Sequence, residues 1–418
     1  MGGFGSALKK IFNQKRGHLV SAWKFRSHTI LFSSSVVEDI DNDQQDEILF
    51  GTKTGEITCL TMQGMPKWKF NVHENLTETE MFFFDPESMN AINASPLVTD
   101  INNDGKKEVI FGSETGNVYC LNHFGQLLWK YKAESSIKGA VADFTLNGKS
   151  FLVFGSIDQH LYVLNSAGNM VWKIKAKSVI ESTPCVMHDH ILFGTDDGTL
   201  YCVDFKGNLL WGYKTKGKII AQPVVEKLQG TDEYTVVVGS YDGYLYAFDM
   251  SGNLKWKFNA FGPIAEKVTL CDVNSDNKQE IFFGSCNNLI YALNCNGDKL
   301  WEYETNFWVV APVIVADIDN DGRFEVIAGS YDNAVYVLDS EGKYDLDYVP
   351  GLSGVVQQAG HYTDIMTQDP GNVVGTKILD YQSDGIIVGM AYSQKNNVFI
   401  VNEKQGEVEA LSFVEEKG

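Results

Sequence analysis

Four stretches of the chain place oxygen-bearing side chains at one fixed spacing. They are Asp39, Asp41, Asp43 and Glu47; Asp100, Asn102, Asp104 and Glu108; Asp272, Asn274, Asp276 and Glu280; and Asp317, Asp319, Asp321 and Glu325. Each offers a carboxylate or amide at positions 1, 3 and 5 and a glutamate at position 9. Alternate residues of a tight loop aim their side chains inward, and a hard cation such as Ca2+ takes about six to eight oxygens in flexible geometry. Position 7, occupied by Gln45, Lys106, Lys278 and Arg323, would add a backbone carbonyl. Gly105 and Gly322 at position 6 ease the turn, whereas Asn277 stands there in the third copy. Without metal the same residues would form Asx-rich turns. Four copies of one spacing favour Ca2+ over that reading, and over Mg2+, which keeps more water. The ion would be a structural staple, not a catalytic centre. Two partial copies are expected to have lost it: Asp143, Thr145 and Asn147 lead to Phe151, and Asp380, Gln382 and Asp384 lead to Val388.

These loops need elements to hold them, and the chain supplies a repeat. An apolar run ending in Gly and then Ser or Thr recurs at Thr52, Ser113, Ser156, Thr195, Ser240, Ser285 and Ser330, and IIVGM ending at Met390 looks like an eighth copy. A tight turn follows, such as Asp197-Gly198 or Asp242-Gly243, then an alternating run such as YLYAFD. A Gly turn then leads to a strand carrying Trp68, Trp129, Trp172, Trp211, Trp256 or Trp301. The period of about 40–45 residues suits propeller blades. Each unit has room for four antiparallel strands and no helix, and closing such units into a ring removes their open edges. The expected fold is all-β: a single β-propeller of eight four-stranded blades over residues 18–418, closed by N- and C-terminal strands. Seven blades is the alternative.

The strand LVSAWKF at 19–25 reads as a fourth strand without its first three. Ala410 reads as the occupant of the eighth Trp position, and Leu346, four residues after Gly342, as that of the seventh. Two insertions break the period, at 71–95 with Met81 to Phe84 and at 346–375 with His361, Tyr362 and Asp364. Residues 1–17 stand apart: Phe4, Leu8, Ile11 and Phe12 at helical spacing among lysines suggest a basic amphipathic tail able to touch a membrane.

The formal charge of −20 disfavours a nucleic-acid partner. Cys59, Cys120 and Cys202 share one position that elsewhere holds Ala or Val, so they read as core fillers. Seven cysteines without framework spacing fit a reducing compartment, and no apolar h-region opens the chain, so a cytoplasmic location is expected, with the tail against a membrane at most.

The Gly-x-x-x-Trp strand resembles the tryptophan-docking motif of PQQ-type quinoprotein propellers. The Asp-x-Asp-x-Asp-Gly-x-x-Glu loop resembles the Ca2+ loop of FG-GAP, integrin-alpha-like repeats. The resemblance implies that Gly64/Trp68, Gly125/Trp129, Gly168/Trp172, Gly207/Trp211, Gly252/Trp256 and Gly297/Trp301 lock the ring. It implies weak docking in units 7 and 8. In an eight-bladed ring the metal loops of units 6, 7, 1 and 2 fall on that arc, which suggests that they brace it. The resemblance also raises a quinoprotein dehydrogenase, but the chain has no adjacent cysteine pair and no Cys-x-x-Cys-His. The favoured function is a non-catalytic, calcium-stabilised scaffold that presents loops to a protein or glycan partner. A PQQ enzyme or a polysaccharide-active propeller is the alternative. Candidates for the channel mouth are Glu181, Gln222, Glu266, Lys267, Phe307 and Trp308, the last two as an exposed aromatic pair.

Overall fold

The computed structural model describes residues 17–72, 90–342 and 377–416. They form eight four-stranded antiparallel sheets, arranged as an eight-bladed propeller. Blades 1 to 7 occupy residues 36–71, 97–132, 142–175, 185–214, 224–259, 269–304 and 314–382. Blade 8 combines 387–415 with the N-terminal strand Gly17–Arg26. In each blade the first strand lies at the channel and the fourth is the outer edge. Inner strands of blades 8 and 1 touch, as do those of blades 1 and 2 and of 7 and 8, so the ring closes. The eight-bladed expectation holds.

The core lies between the blades. Leu49, Ile57, Cys59 and Trp68 of blade 1 pack on Val109, Phe111, Tyr119 and Leu121 of blade 2. The middle strands are buried on both faces, which explains runs such as Glu47–Gly51 and Glu108–Gly112 with no exposed residue. The Gly of the Gly-Ser marker has a packing reason. A Cβ on Gly51 would lie 2.4 Å from Ile92 of the next blade, and one on Gly112 would lie 2.4 Å from Ile137. All seven cysteines are free, and Cys59, Cys120 and Cys202 are fully buried, as core fillers should be.

Tryptophan docking runs from one blade to the next at seven of the eight junctions. The Trp68 indole donates its N–H to His123 O at 2.9 Å and covers Gly125, whose Cβ would sit 2.5 Å from the ring. Gly125 has φ +75, so an alanine there meets both backbone strain and the indole. Gly125→Ala is expected to cost on the order of 2–5 kcal/mol. Gly148, with φ +73 and open space around it, should lose only the strain part, about 1–2 kcal/mol. Urea midpoints of the two variants check this; equal losses would mean that the indole contact contributes nothing.

Three expectations about the ring closure need correction. IIVGM is not a second strand: Ile387–Ser393 is the inner strand of blade 8. The chain must re-enter at the channel there, and Gly389 supplies the close approach, since a Cβ would lie 2.4 Å from Ser34. In the true second strand, Val398–Glu403, buried Asn402 takes the place of the marker Gly and bonds Ser35 Oγ and Ser33 O. Second, Ala410 does not stand in the Trp position. It sits on the third strand, opposite Trp23 of the N-terminal strand, as Cys59 sits opposite Trp68. Trp23 donates to Met62 O at 2.8 Å and covers Gly64, so the junction from blade 8 to blade 1 is docked. Third, the outer strand of blade 7 is Lys377–Gln382, with Leu379 opposite Val337 in the Trp position. The long insertion therefore falls inside blade 7, and Asp380 and Gln382 are strand residues rather than loop ligands. Leu346, His361, Tyr362, Asp364, Met81 to Phe84 and the tail 1–16 lie outside the described residues.

Only the junction from blade 7 to blade 8 thus lacks a tryptophan. A polar network stands there instead. The Tyr381 hydroxyl donates to Glu409 at 2.7 Å, and Lys24 pairs with Asp384, Glu407 and Glu409 at 2.6, 3.0 and 3.4 Å.

Candidate metal loops and channel mouth

The four Asp loops connect the first and second strands of blades 1, 2, 6 and 7, so they share one face of the ring. Their backbones repeat closely. The position 1 carboxylate accepts N–H groups from positions 5 and 6, as Asp317 does from Asp321 at 3.1 Å and Gly322 at 2.9 Å. Positions 4 and 6 are left-handed, which suits Asn103 with Gly105 and Asn320 with Gly322. Ser275 with Asn277 and Asn42 with Gln44 adopt the same conformation. The position 9 glutamate opens the second strand and is buried: Glu47, Glu108, Glu280 and Glu325 are 2–5% exposed. Each accepts the N–H of position 2, from Ile40, Ile101, Val273 and Ile318.

The loops differ in charge balance. In blade 7, carboxylate oxygens of Asp317, Asp319 and Glu325 all lie within 4.8 Å of one another. Burial, then the neighbouring aspartates, push Glu325 up to about 9. Three converging carboxylates, two of them buried, are a donor set that fits Ca2+. Arg323, whose carbonyl was expected to contribute, turns its guanidinium onto Asp321 at 3.1 Å. In blade 2, burial raises Glu108 to about 7, and in blade 6 it raises Glu280. Asn102 and Asn274 each donate to the glutamate of their own loop. Blade 1 is different. The Lys67 ammonium lies 2.7 Å from Glu47 and 3.0 Å from Asp41, so this loop carries its own cation. Lys67 directly precedes Trp68, a position holding Leu128 and Leu300 in blades 2 and 6, and that difference is visible in the sequence.

Neighbouring loops are tied together. Asn42 donates to Gly105 O, Asn397 of blade 8 to Ile318 O at 2.8 Å, and Ser393 to Asp46 at 2.7 Å. Asp143, in the partial copy, is a strand residue that accepts from Thr99 at 3.0 Å.

The opposite face carries the channel mouth. There the residue after each Gly-Ser or Gly-Thr marker donates its backbone N–H to the loop entering its own blade, as Tyr331 does to Trp308 O and Tyr241 to Lys218 O. Phe307 and Trp308 are each 45% exposed, as a surface pair should be. Tyr331 joins them, its ring parallel to Phe307 within 3° at 6.4 Å and 6.3 Å from Trp308. Lys404 lies 5.8 Å over Tyr331, and Lys218 lies 4.6 Å over Tyr241. The sequence reading missed Tyr331 and Tyr241; their signal is the shared GSY that ends two markers. Of the other mouth candidates, Glu181 is tied to Lys138 at 2.9 Å and Gln222 donates to Pro184 O at 3.4 Å. Glu266 and Lys267 are exposed.

No curated protein matches the chain. Among solved structures, BamB from Moraxella catarrhalis is 16% identical, with TM-score 0.63, covering 96% of this chain and 99% of that one. The computationally designed Ika8 protein is 15% identical, with TM-score 0.66 and coverages of 95% and 99%. BBS1N, solved in complex with ARL6DN, is 11% identical, with TM-score 0.54 and coverages of 96% and 98%. At these identities the likeness speaks for the propeller fold alone. The sequence itself matches one family model over residues 20–82, 81–188 and 235–349, and the chain belongs to that family, the lambda-carrageenase beta-propeller domain.

Proposed function

We propose that the chain is a non-catalytic binding scaffold, stiffened by Ca2+ in its Asp loops, that holds a glycan on the aromatic mouth. The observation that carries this reading is the exposed pair Phe307 and Trp308, backed by the half-buried ring of Tyr331. Flat aromatic faces beside polar groups bind sugar rings by stacking while hydrogen bonds fix orientation. Lys404 and exposed Asn306 supply the polar rim. The family name points to an enzyme acting on lambda-carrageenan, which supports a polysaccharide as the ligand class. The reading requires no reacting group.

Calorimetric titration with neutral and sulfated galactan oligosaccharides tests it. Trp308→Ala is expected to weaken binding about tenfold or more, the equivalent of about 1.4 kcal/mol, with no loss of fold. Absence of saturable binding to either oligosaccharide, or equal affinity in the variant, would sink the proposal.

A further inference from the structure

Among the described residues every outer strand leaves one backbone edge unpaired, and such edges are normally guarded by charge. Seven of the eight blades carry that guard at one position, immediately after the Trp or Leu of the outer strand. It is a lysine in blades 1, 2, 3, 5 and 8, as in Lys130 and Lys173, and an acid in blades 6 and 7, Glu302 and Asp380. Blade 4 has Gly212. Its outer strand, Leu209–Lys214, otherwise matches that of blade 2: LLWGYK against LLWKYK.

The fold does not require glycine there. Gly212 is outside the left-handed region, and a Cβ would meet nothing closer than Leu200 O at 3.6 Å. In blade 3 the guard covers the tyrosine across the strand pair, Lys173 lying 5.3 Å over Tyr162. Gly212 faces Tyr201 in the same register and leaves it uncovered from that side. The strand begins with Leu209 and Leu210, 61% and 47% exposed. Beside it, between blades 3 and 4, lies an apolar cleft of about 260 Å³ lined by Phe144, Val171, Trp172 and Phe205 among others. Blade 3 has Phe144 and Phe151 where the Asp loops of blades 1, 2, 6 and 7 have an aliphatic residue and the buried glutamate, and Phe144 stacks on Phe205 at 4.3 Å. Around this edge Lys206, Lys214 and Lys216 are exposed, on a chain whose net charge is −20. Lys214 also pairs with Asp197 at 2.8 Å.

We infer that the outer edge of blade 4 is a docking site for an extended, acidic segment of a partner protein, which adds to the sheet as a fifth strand. Main-chain hydrogen bonds would give affinity, and alternate side chains specificity. Apolar residues of the segment would meet Leu209, Leu210 and the cleft, and its carboxylates would meet Lys206 and Lys216. Gly212 lets the incoming backbone approach where a lysine would stand in its way. This surface is separate from the aromatic mouth, and the two proposals stand or fall independently.

The test uses the whole chain and a short fluorescein-labelled peptide alternating valine and glutamate, followed by anisotropy. Saturable binding is expected, weakened about tenfold or more by Gly212→Lys and by a central proline in the peptide. The variant should keep the parent's urea midpoint, because its Cβ has room. A peptide alternating valine and lysine should not bind. No saturable binding of the acidic peptide, equal binding by the variant, or equal binding of the basic peptide would each overturn the proposal. Sedimentation of the unliganded chain supplies a further outcome: a concentration-dependent dimer abolished by Gly212→Lys would replace the partner with a second copy.

Discussion

A chain beginning at Ser27 will fail to give a cooperatively folded ring, and Trp23→Ala alone will lower the unfolding free energy by about 3 kcal/mol. The strand Gly17–Arg26 pairs with Glu407–Glu415 along its whole length. Removing it strips the indole from Gly64, which docks blade 8 on blade 1. It also removes Lys24 and Arg26, the cations that face Glu407 and Glu409, which are 5% and 0% exposed. Breaking a buried pair by deleting one partner costs about 3–5 kcal/mol, and Lys24, a third exposed, belongs at the low end of that range. The indole and the stranded carboxylates together approach the whole stability of an ordinary domain, about 5–15 kcal/mol. Urea titration by circular dichroism decides the matter: a deletion that unfolds cooperatively at the parental midpoint would show the strand to be an appendage. Added 17–26 peptide should restore the transition. Acid should act on the same seam. Burial alone would raise Glu407, but the bonds from Arg26 and Lys24 hold it below its usual 4.5. Its contribution is therefore present above that value and is lost as the pH falls through the lower folded value.

The fold was legible because one packing demand repeats. A glycine must face the next blade's isoleucine, and a tryptophan must cover the next blade's turn, so both recur as letters. Legibility failed where the demand was met by other chemistry. Blade 8 replaces the marker glycine by Asn402, which bonds the chain entering blade 1, and no sequence rule for glycine can find it. Its tryptophan comes from nearly four hundred residues upstream, so Ala410 looked like a vacancy when Trp23 was its partner. The insertion in blade 7 hid its outer strand for the same reason: KILDYQ follows the turn at Gly342 only after residues 343–376. The site was readable as loops and not as charge balance. Spacing alone makes the four Asp loops equivalent, whereas Lys67 distinguishes blade 1 and the burial of Asp319 distinguishes blade 7. Phe307 and Trp308 could be named from sequence, but their alignment with Tyr331 arises only when the loop entering blade 7 folds onto that blade's second turn.

That difference in charge balance gives the second large effect. With Ca2+ at about one hundred times its dissociation constant, binding to the folded chain alone contributes about 2.7 kcal/mol, which chelation should abolish. The blade 7 loop should dominate. Without a cation, Glu325 at about 9 is raised far above its unfolded value, so the ion-free protein loses stability as the pH rises from about 4.5 towards 9. Ca2+ would remove that loss, because a divalent charge among Asp317, Asp319 and Glu325 favours the ionised form. Glu325→Gln therefore has opposite consequences in the two conditions. In chelator the variant should match or exceed the parent, since it cannot carry the uncompensated charge. In Ca2+ it should fall below the parent by most of the 2.7 kcal/mol. Asp143→Asn, on a strand without the loop, should shift neither comparison by a similar amount. The brace is also placed where it matters. Blade 7 meets blade 8 without a tryptophan, and Asn397 of blade 8 donates to Ile318 O inside the blade 7 loop, so an ordered loop holds the undocked junction. Melting curves of parent and variants with Ca2+ and with EDTA test the crossover. A parent indifferent to EDTA would remove the ion from the proposal. A Gln variant that loses equally in both conditions would reduce Glu325 to a packing residue.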